Sequence, residues 1–142
     1  MIPGKPEVAA ARPAPKPEWR GILFDAAVIF LLTAALIWPL FKMEYMENWA
    51  SIESTFIADS RFLLEHWPHP NWQPLWYLGT RWDYIYPPAL RYGTAILARS
   101  LGVSTARGYH IYIAFFYSLG IAGVYLLARL GGGSRGAAWL AA

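Results

Sequence analysis

The chain has 142 residues, 56% of them hydrophobic and 15% charged, with a mean hydropathy of +0.28. Soluble domains carry nearer a quarter charged residues, so this composition predicts an integral membrane protein. The net charge of +3 is not clustered, which argues against a nucleic-acid surface, and the absence of cysteine excludes a disulfide framework and a cysteine-ligated metal.

Residues 1–20 hold prolines at positions 3, 6, 13, 15 and 17 and no apolar period, and are expected to form a disordered tail. Residues 21–41, GILFDAAVIFLLTAALIWPLF, are long and apolar enough for a first transmembrane helix. Asp25 is its single charge, one turn from its start, where a carboxylate reaches the interface or a neighbouring helix. Pro39 is placed to kink or end the helix.

Residues 42–107 contain no further spanning window, yet they are too long for a structureless connection. Helical periodicity over 49–67 puts Trp49, Ile52, Phe56, Leu63 and Trp67 on one side, with Ile57 and Leu64 beside them. Thr55, Asp59 and His66 fall on another stripe, and Pro68 and Pro70 end the helix. The next stretch, rich in Pro, Trp and Tyr, is expected to be irregular. Pro88 then opens an interfacial helix over 88–101, and Gly102 closes it.

Residues 108–130 form a second transmembrane helix, with Tyr109, Tyr112 and Tyr117 as an aromatic belt and Ser118, Ala122 and Gly123 as a small packing surface. Residues 131–142 turn and begin a third span. The sequence therefore reads as the N-terminal part of a longer multi-span protein. Lys5, Arg12, Lys16 and Arg20 precede the first span and Arg129 and Arg135 follow the second, which places both flanks in the cytoplasm and the long loop outside the cytoplasmic membrane. The expected fold class is all-α, a helical integral membrane protein with two complete spans, the start of a third and a helical extracytoplasmic loop.

Several loop residues suit chemistry. Glu44 and Glu47 follow the first span directly, where a carboxylate in a partly dry site accepts a proton from a hydroxyl; solvated loop carboxylates are the plainer alternative. Arg61, Arg81 and Arg91 suit a phosphate, lipid-linked or free, and equally suit anionic lipid in general. Trp72, Trp76, Tyr84 and Tyr86, with Asp83 among them and Asp59 nearby, suit either a membrane-interface belt or the faces and hydroxyls of a sugar ring. His66 and His69 are separated by Pro68, so helical metal-ligand spacing is broken and no metal site is assigned.

The order of these features resembles the N-terminal part of integral-membrane glycosyltransferases of the GT-C class. The nearest groups are the protein-mannosyltransferase-like and aminoarabinose-transferase-like families, and related bacterial membrane proteins with a Y-P-P-L loop signature. The residues that carry the resemblance are the acidic position in EYMENWASIESTF, the Trp/Pro segment, the YPPAL turn from Tyr86 to Leu90, and SLGVS at 100–104. The family's Asp-Glu pair is Glu47-Asn48 here, and its Lys before Pro-Pro is Tyr86. The resemblance implies a polyprenyl-phosphate sugar as donor, transfer on the extracytoplasmic side, and Glu47, with Glu44 second, as base toward the acceptor. It implies no organic cofactor and leaves a divalent metal open. Membrane lipids and the lipid-linked donor are the expected partners. The alternative is a non-catalytic membrane subunit whose aromatic loop holds lipid or a partner.

Overall fold

The computed structural model describes residues 18–44, 52–74, 78–82 and 88–142. These residues are mostly helical, and two of the helices are long and apolar enough to cross a membrane. The first is α1, Trp19–Leu36, with mean hydropathy 1.7, and the second is α4, Thr105–Leu130, with mean hydropathy 1.9.

α1 stops at Leu36, five residues before the expected end, and a 3-10 segment, Trp38–Lys42, follows. Pro39 is the cause: it has no N–H to donate and its ring collides with the carbonyl four residues back. The chain tightens instead, with Leu40 N donating to Ile37 O at 2.9 Å and Met43 N to Leu40 O at 3.2 Å.

α4 starts three residues earlier than hydropathy indicates. Ser104 is its N-cap, its hydroxyl accepting from Arg107 N at 3.0 Å. Ala114, Ser118 and Ala122, four residues apart, are buried along one line of α4. Ala122 and Tyr125 pack with Ile22, Ala26 and Ile29 of α1, and Phe30 meets Phe115 edge to face at 5.5 Å. The small surface is thus Ala114–Ser118–Ala122 rather than one that includes Gly123, where an added Cβ meets nothing. The Ser118 hydroxyl donates to Ala114 O at 2.9 Å, so its burial leaves no orphan donor.

The loop is built from α2, Glu53–Glu65, a two-stranded hairpin and α3, Pro88–Leu101. The hairpin corrects the irregular expectation: β1, Trp72–Gln73, pairs antiparallel with β2, Thr80–Arg81, in the register Trp72↔Arg81 and Gln73↔Thr80. α2 turns only part of the expected face inward, Ile57 and Leu63 being buried as its period indicates. Ile57, Asp59, Ser60, Phe62 and Leu63 are buried, while Ile52 and Trp67 are exposed and Phe56 half-buried. Apolar period alone favours the bulkiest stripe; the observed face adds Ser60 and Asp59, because Ser60 back-bonds to Phe56 O at 2.8 Å and Asp59 has a charged partner.

α3 ends at Gly102, whose φ of +62° suits glycine, and Val103 N donates to Ala98 O at 3.1 Å to close the last turn. α3 packs against both α2 and α4. At Gly108 of α4 a Cβ would sit 2.9 Å from Ala98 Cβ and 3.1 Å from Thr94 O, so glycine permits the close crossing of α3 and α4. Tyr109 and Tyr112 likewise face protein: Tyr109 stacks on Phe56 with ring centres 6.5 Å apart, and the Tyr112 ring fills the space over Gly93. Only Tyr117 of the expected belt is largely exposed. After a turn through Gly131 to Ser134, α5, Arg135–Ala141, packs on α4 through Ala138.

Candidate functional site

The loop core holds a buried ion pair. Asp59 comes from the middle of α2 and Arg91 from the first turn of α3, and their side chains are each 3% exposed. Arg91 Nε donates to Asp59 Oδ2 at 2.9 Å, and Gln73 Nε2 of β1 donates to Asp59 Oδ1. The guanidinium lies over the Trp82 ring, 5.5 Å from its centre, in a cation–π contact. Trp82 is itself buried with Phe62, Leu63 and Ala95, and its Nε1 donates to the Tyr92 hydroxyl at 3.3 Å. His69 Nδ1 lies 2.8 Å from the same hydroxyl. Three separate elements therefore converge on one carboxylate.

Burial and pairing pull the ionisation of this cluster in opposite directions. Burial lifts the Asp59 carboxyl above its ordinary value of 3.8, outweighing the opposing pull of Arg91 and Gln73. The same burial lowers the Arg91 guanidinium, against the pull of Asp59. Both Asp59 oxygens accept hydrogen bonds, so the pair works as an internal clamp; an anion seeking Arg91 has to compete with Asp59.

The other sequence-derived candidates are dispersed. Arg61 projects from the exposed side of α2. Trp72 is half exposed, with its ring over Gly79, and Arg81 is exposed opposite it in the hairpin. Glu47, Trp76, Asp83, Tyr84 and Tyr86 lie outside the described residues.

Glu44 occupies a distinct polar station. Its carboxylate accepts from the Ser104 hydroxyl and lies 4.0 Å from Arg107 Nη1. Both Glu44 and Arg107 keep about half of their side-chain surface open, at 53% and 40%. Directly along the chain from this station is an apolar groove of about 320 Å³, lined by Phe41, Leu97, Ile111, Tyr112 and Phe115 among others. Phe41 is three residues before Glu44, and Ile111 is four after Arg107, which places it one turn along the same face of α4. A charged ledge thus stands one helical turn, about 5 Å, from an apolar trough.

The opposite end of the helical pair is closed by Asp25. It is 2% exposed and accepts from Tyr125 Oη at 2.6 Å, from Arg135 Nε at 2.8 Å and from Arg135 Nη2 at 2.6 Å. The bidentate guanidinium fork and the phenol join α1, α4 and α5 at one point. Asp25 thereby reaches neighbouring helices, one of the two arrangements its position allowed. Its partners, 100 and 110 residues away in sequence, carried no local signal. The same is true of Gln73, Trp82 and Tyr92 in the loop core.

The chain matches no family model, no curated protein and no solved structure.

Proposed function

We propose that this chain is the N-terminal part of an integral-membrane glycosyltransferase, taking a sugar from a polyprenyl-phosphate donor on the extracytoplasmic side. The observation that carries this reading is the polar ledge of Glu44, Ser104 and Arg107 one turn from the apolar groove. A lipid-linked sugar has a charged head joined to a hydrocarbon tail, and it needs such an adjacent pair of environments. α1 and α4 then cross the cytoplasmic membrane, with residues 1–20 cytoplasmic and the 42–107 loop outside. Arg107 meets the donor phosphate, a role that charge and placement give it in preference to the clamped Arg91. Glu47 acts as base toward the acceptor hydroxyl, and Glu44 orients Arg107 and Ser104.

The intact protein, assayed with a panel of polyprenyl-phosphate sugars, tests this. Glu47→Gln abolishes transfer while membrane insertion is unchanged; full activity in that variant removes Glu47 from the mechanism. Leu97→Trp fills the groove and raises KM for long-chain donors roughly tenfold, since each excluded methylene forfeits about 0.8 kcal/mol. A donor with a truncated tail is unaffected by that change. The closed Asp59–Arg91–Gln73 cluster favours a second reading, a non-catalytic membrane subunit whose loop is a rigid platform for lipid or a partner. Absence of transfer with every donor, together with retained lipid binding at the groove, selects it.

A further inference from the structure

At the end of the molecule away from the loop, a small pocket of about 130 Å³ opens between the start of α1 and the end of α4. Glu18, Phe24 and Asp25 line it from the α1 side, Tyr125 and Arg129 from α4, and Arg135 from α5. Its charges are not equally available. Asp25 accepts from Tyr125 Oη and from both Nε and Nη2 of Arg135, so that aspartate and that arginine neutralise each other. Arg129 has no such counterpart. Its Nη1 donates to the Gly133 carbonyl at 2.5 Å, its Nε is buried without an acceptor, and no carboxylate among the described residues pairs with it. Glu18 is exposed at the rim and is likewise without an ion pair among the described residues. The pocket therefore presents an unmatched cation and an unmatched anion side by side.

A bare phosphate in this pocket meets the repulsion of Glu18, and a bare ammonium meets that of Arg129. A ligand carrying both charges a short distance apart complements both residues. Two observations point to a lipid as its source. Phe24 lines the pocket and is 66% exposed, and Trp19, the first residue of α1, is 51% exposed. On a spanning helix an exposed Phe faces hydrocarbon, and an exposed Trp at the helix end sits at the level of the headgroups.

We propose that this pocket is a headgroup site for an amine-bearing phosphodiester lipid, with the phosphate on Arg129, the ammonium on Glu18 and an acyl chain along Phe24. The site rests on α1 and α4 crossing a membrane and is independent of the reaction at the loop. Phosphatidylethanolamine has this chemistry, its phosphate and primary ammonium joined by an ethylene bridge. The Arg129 guanidinium, steadied by Gly133 O, donates charge-assisted hydrogen bonds to the phosphate oxygens. The ammonium donates to the Glu18 carboxylate. Phosphatidylcholine keeps the phosphate, but its trimethylammonium has no N–H to donate. Phosphatidylglycerol keeps the phosphate and has no cation, which leaves Glu18 facing negative charge.

The test is lipid retention by the intact protein. After extraction in detergent, each of the three lipids is added in turn and bound lipid is counted by native mass spectrometry. Phosphatidylethanolamine binds roughly tenfold more tightly than phosphatidylcholine, the difference that one charge-assisted hydrogen bond makes. Glu18→Gln, a change at an exposed position, abolishes that preference while the phosphate contact survives. Arg129→Gln weakens binding of all three lipids. Leu97→Trp, in the groove beside the loop, leaves the preference intact, which separates this site from the one proposed for the donor. Glycerophosphoethanolamine, which has the headgroup and no acyl chains, fails to displace the lipid at equal concentration; displacement identifies a soluble ligand and overturns the lipid assignment. Equal binding of the three lipids by the wild type, or a preference that persists in Glu18→Gln, overturns the site. Protein that does not insert into bilayers overturns the spanning reading with it, whereas inserted protein without the preference overturns the site alone.

Discussion

Two buried aspartates, Asp25 and Asp59, are each held by an arginine, and they show two ways to keep a carboxylate out of water. At Asp25 the guanidinium arrives from the protein's edge: the Arg135 side chain remains 69% exposed while Asp25 is 4%. At Asp59 both partners are submerged at 3%. The first arrangement desolvates one ion and leaves its partner in contact with solvent. The second desolvates both, and an ion pair of that kind survives only with further hydrogen bonds and good packing, which Gln73 and the Trp82 ring supply. Asp25 is therefore a fastening that can be undone locally, whereas Asp59 is part of the loop's core.

The largest expected effect follows from that difference. Asp59→Ala removes the carboxylate paired with the buried Arg91 and destabilises the loop by about 3–5 kcal/mol, read as collapse of hydrogen-exchange protection in α2 and α3. Asp59→Leu with Arg91→Met costs far less, because both members of the buried pair are replaced by apolar groups of similar size. If the double variant is as damaging as the single one, the clamp explanation fails.

Next comes the close crossing that brings the loop onto α4. Gly108→Ala forces a Cβ against Ala98 and the Thr94 carbonyl, so thermal stability falls by about 1–3 kcal/mol. An unchanged melting temperature means that α3 does not sit this close to α4.

A smaller effect concerns pH. The folded Asp59 carboxyl titrates above its ordinary 3.8, so the native state binds a proton that the unfolded chain has released. The stability from this group is full below about 3.8 and is lost as pH rises through the raised folded value. Asp59→Asn removes that slope: measured from pH 4 upward, wild type loses stability relative to the variant. The reverse slope places Asp59 in a wetter, more strongly paired site.

The smallest change is at the other aspartate. Arg135→Gln leaves α1 and α4 together through Tyr125 and loosens α5 alone. Cysteine labelling at position 138, which is buried against α4, becomes faster, while labelling in α1 is unaltered. Labelling that rises equally in both helices contradicts the view of Asp25 as a local fastening.

What could be read from the sequence was local. Hydropathy marked α1 and α4, Pro39 marked where α1 ends, and Gly102 marked the close of α3, because each signal lies within a few residues of its effect. The loop core was illegible for the opposite reason. Asp59 and Arg91 are 32 residues apart, and Gln73 comes from a strand only two residues long. Helical period counts apolar bulk, so it found Ile57 and Leu63, which are buried, together with Ile52 and Trp67, which are exposed. It could not credit Ser60 and Asp59, which become core residues only once α3 is in place. Of the candidate site, the acidic position after the first span was legible from Glu44, but its partner Ser104 is 60 residues downstream. The groove required three elements to meet.

The unequal lengths of α1 and α4 carry a consequence of their own. At 1.5 Å per residue, 18 residues reach about 27 Å and 26 residues about 39 Å. In a hydrocarbon layer of ordinary thickness, about 30 Å, the shorter helix is a fitted rod and the longer one a mast with some two turns to spare. Thr105, Ala106, Gly108 and His110, all buried, crowd into the first two turns of α4, where α2 and α3 pack. The surplus is thus a spindle on which the loop is wound. Shortening α4 by two turns would leave a rod still long enough to cross such a layer, with no surplus left for the loop to grip.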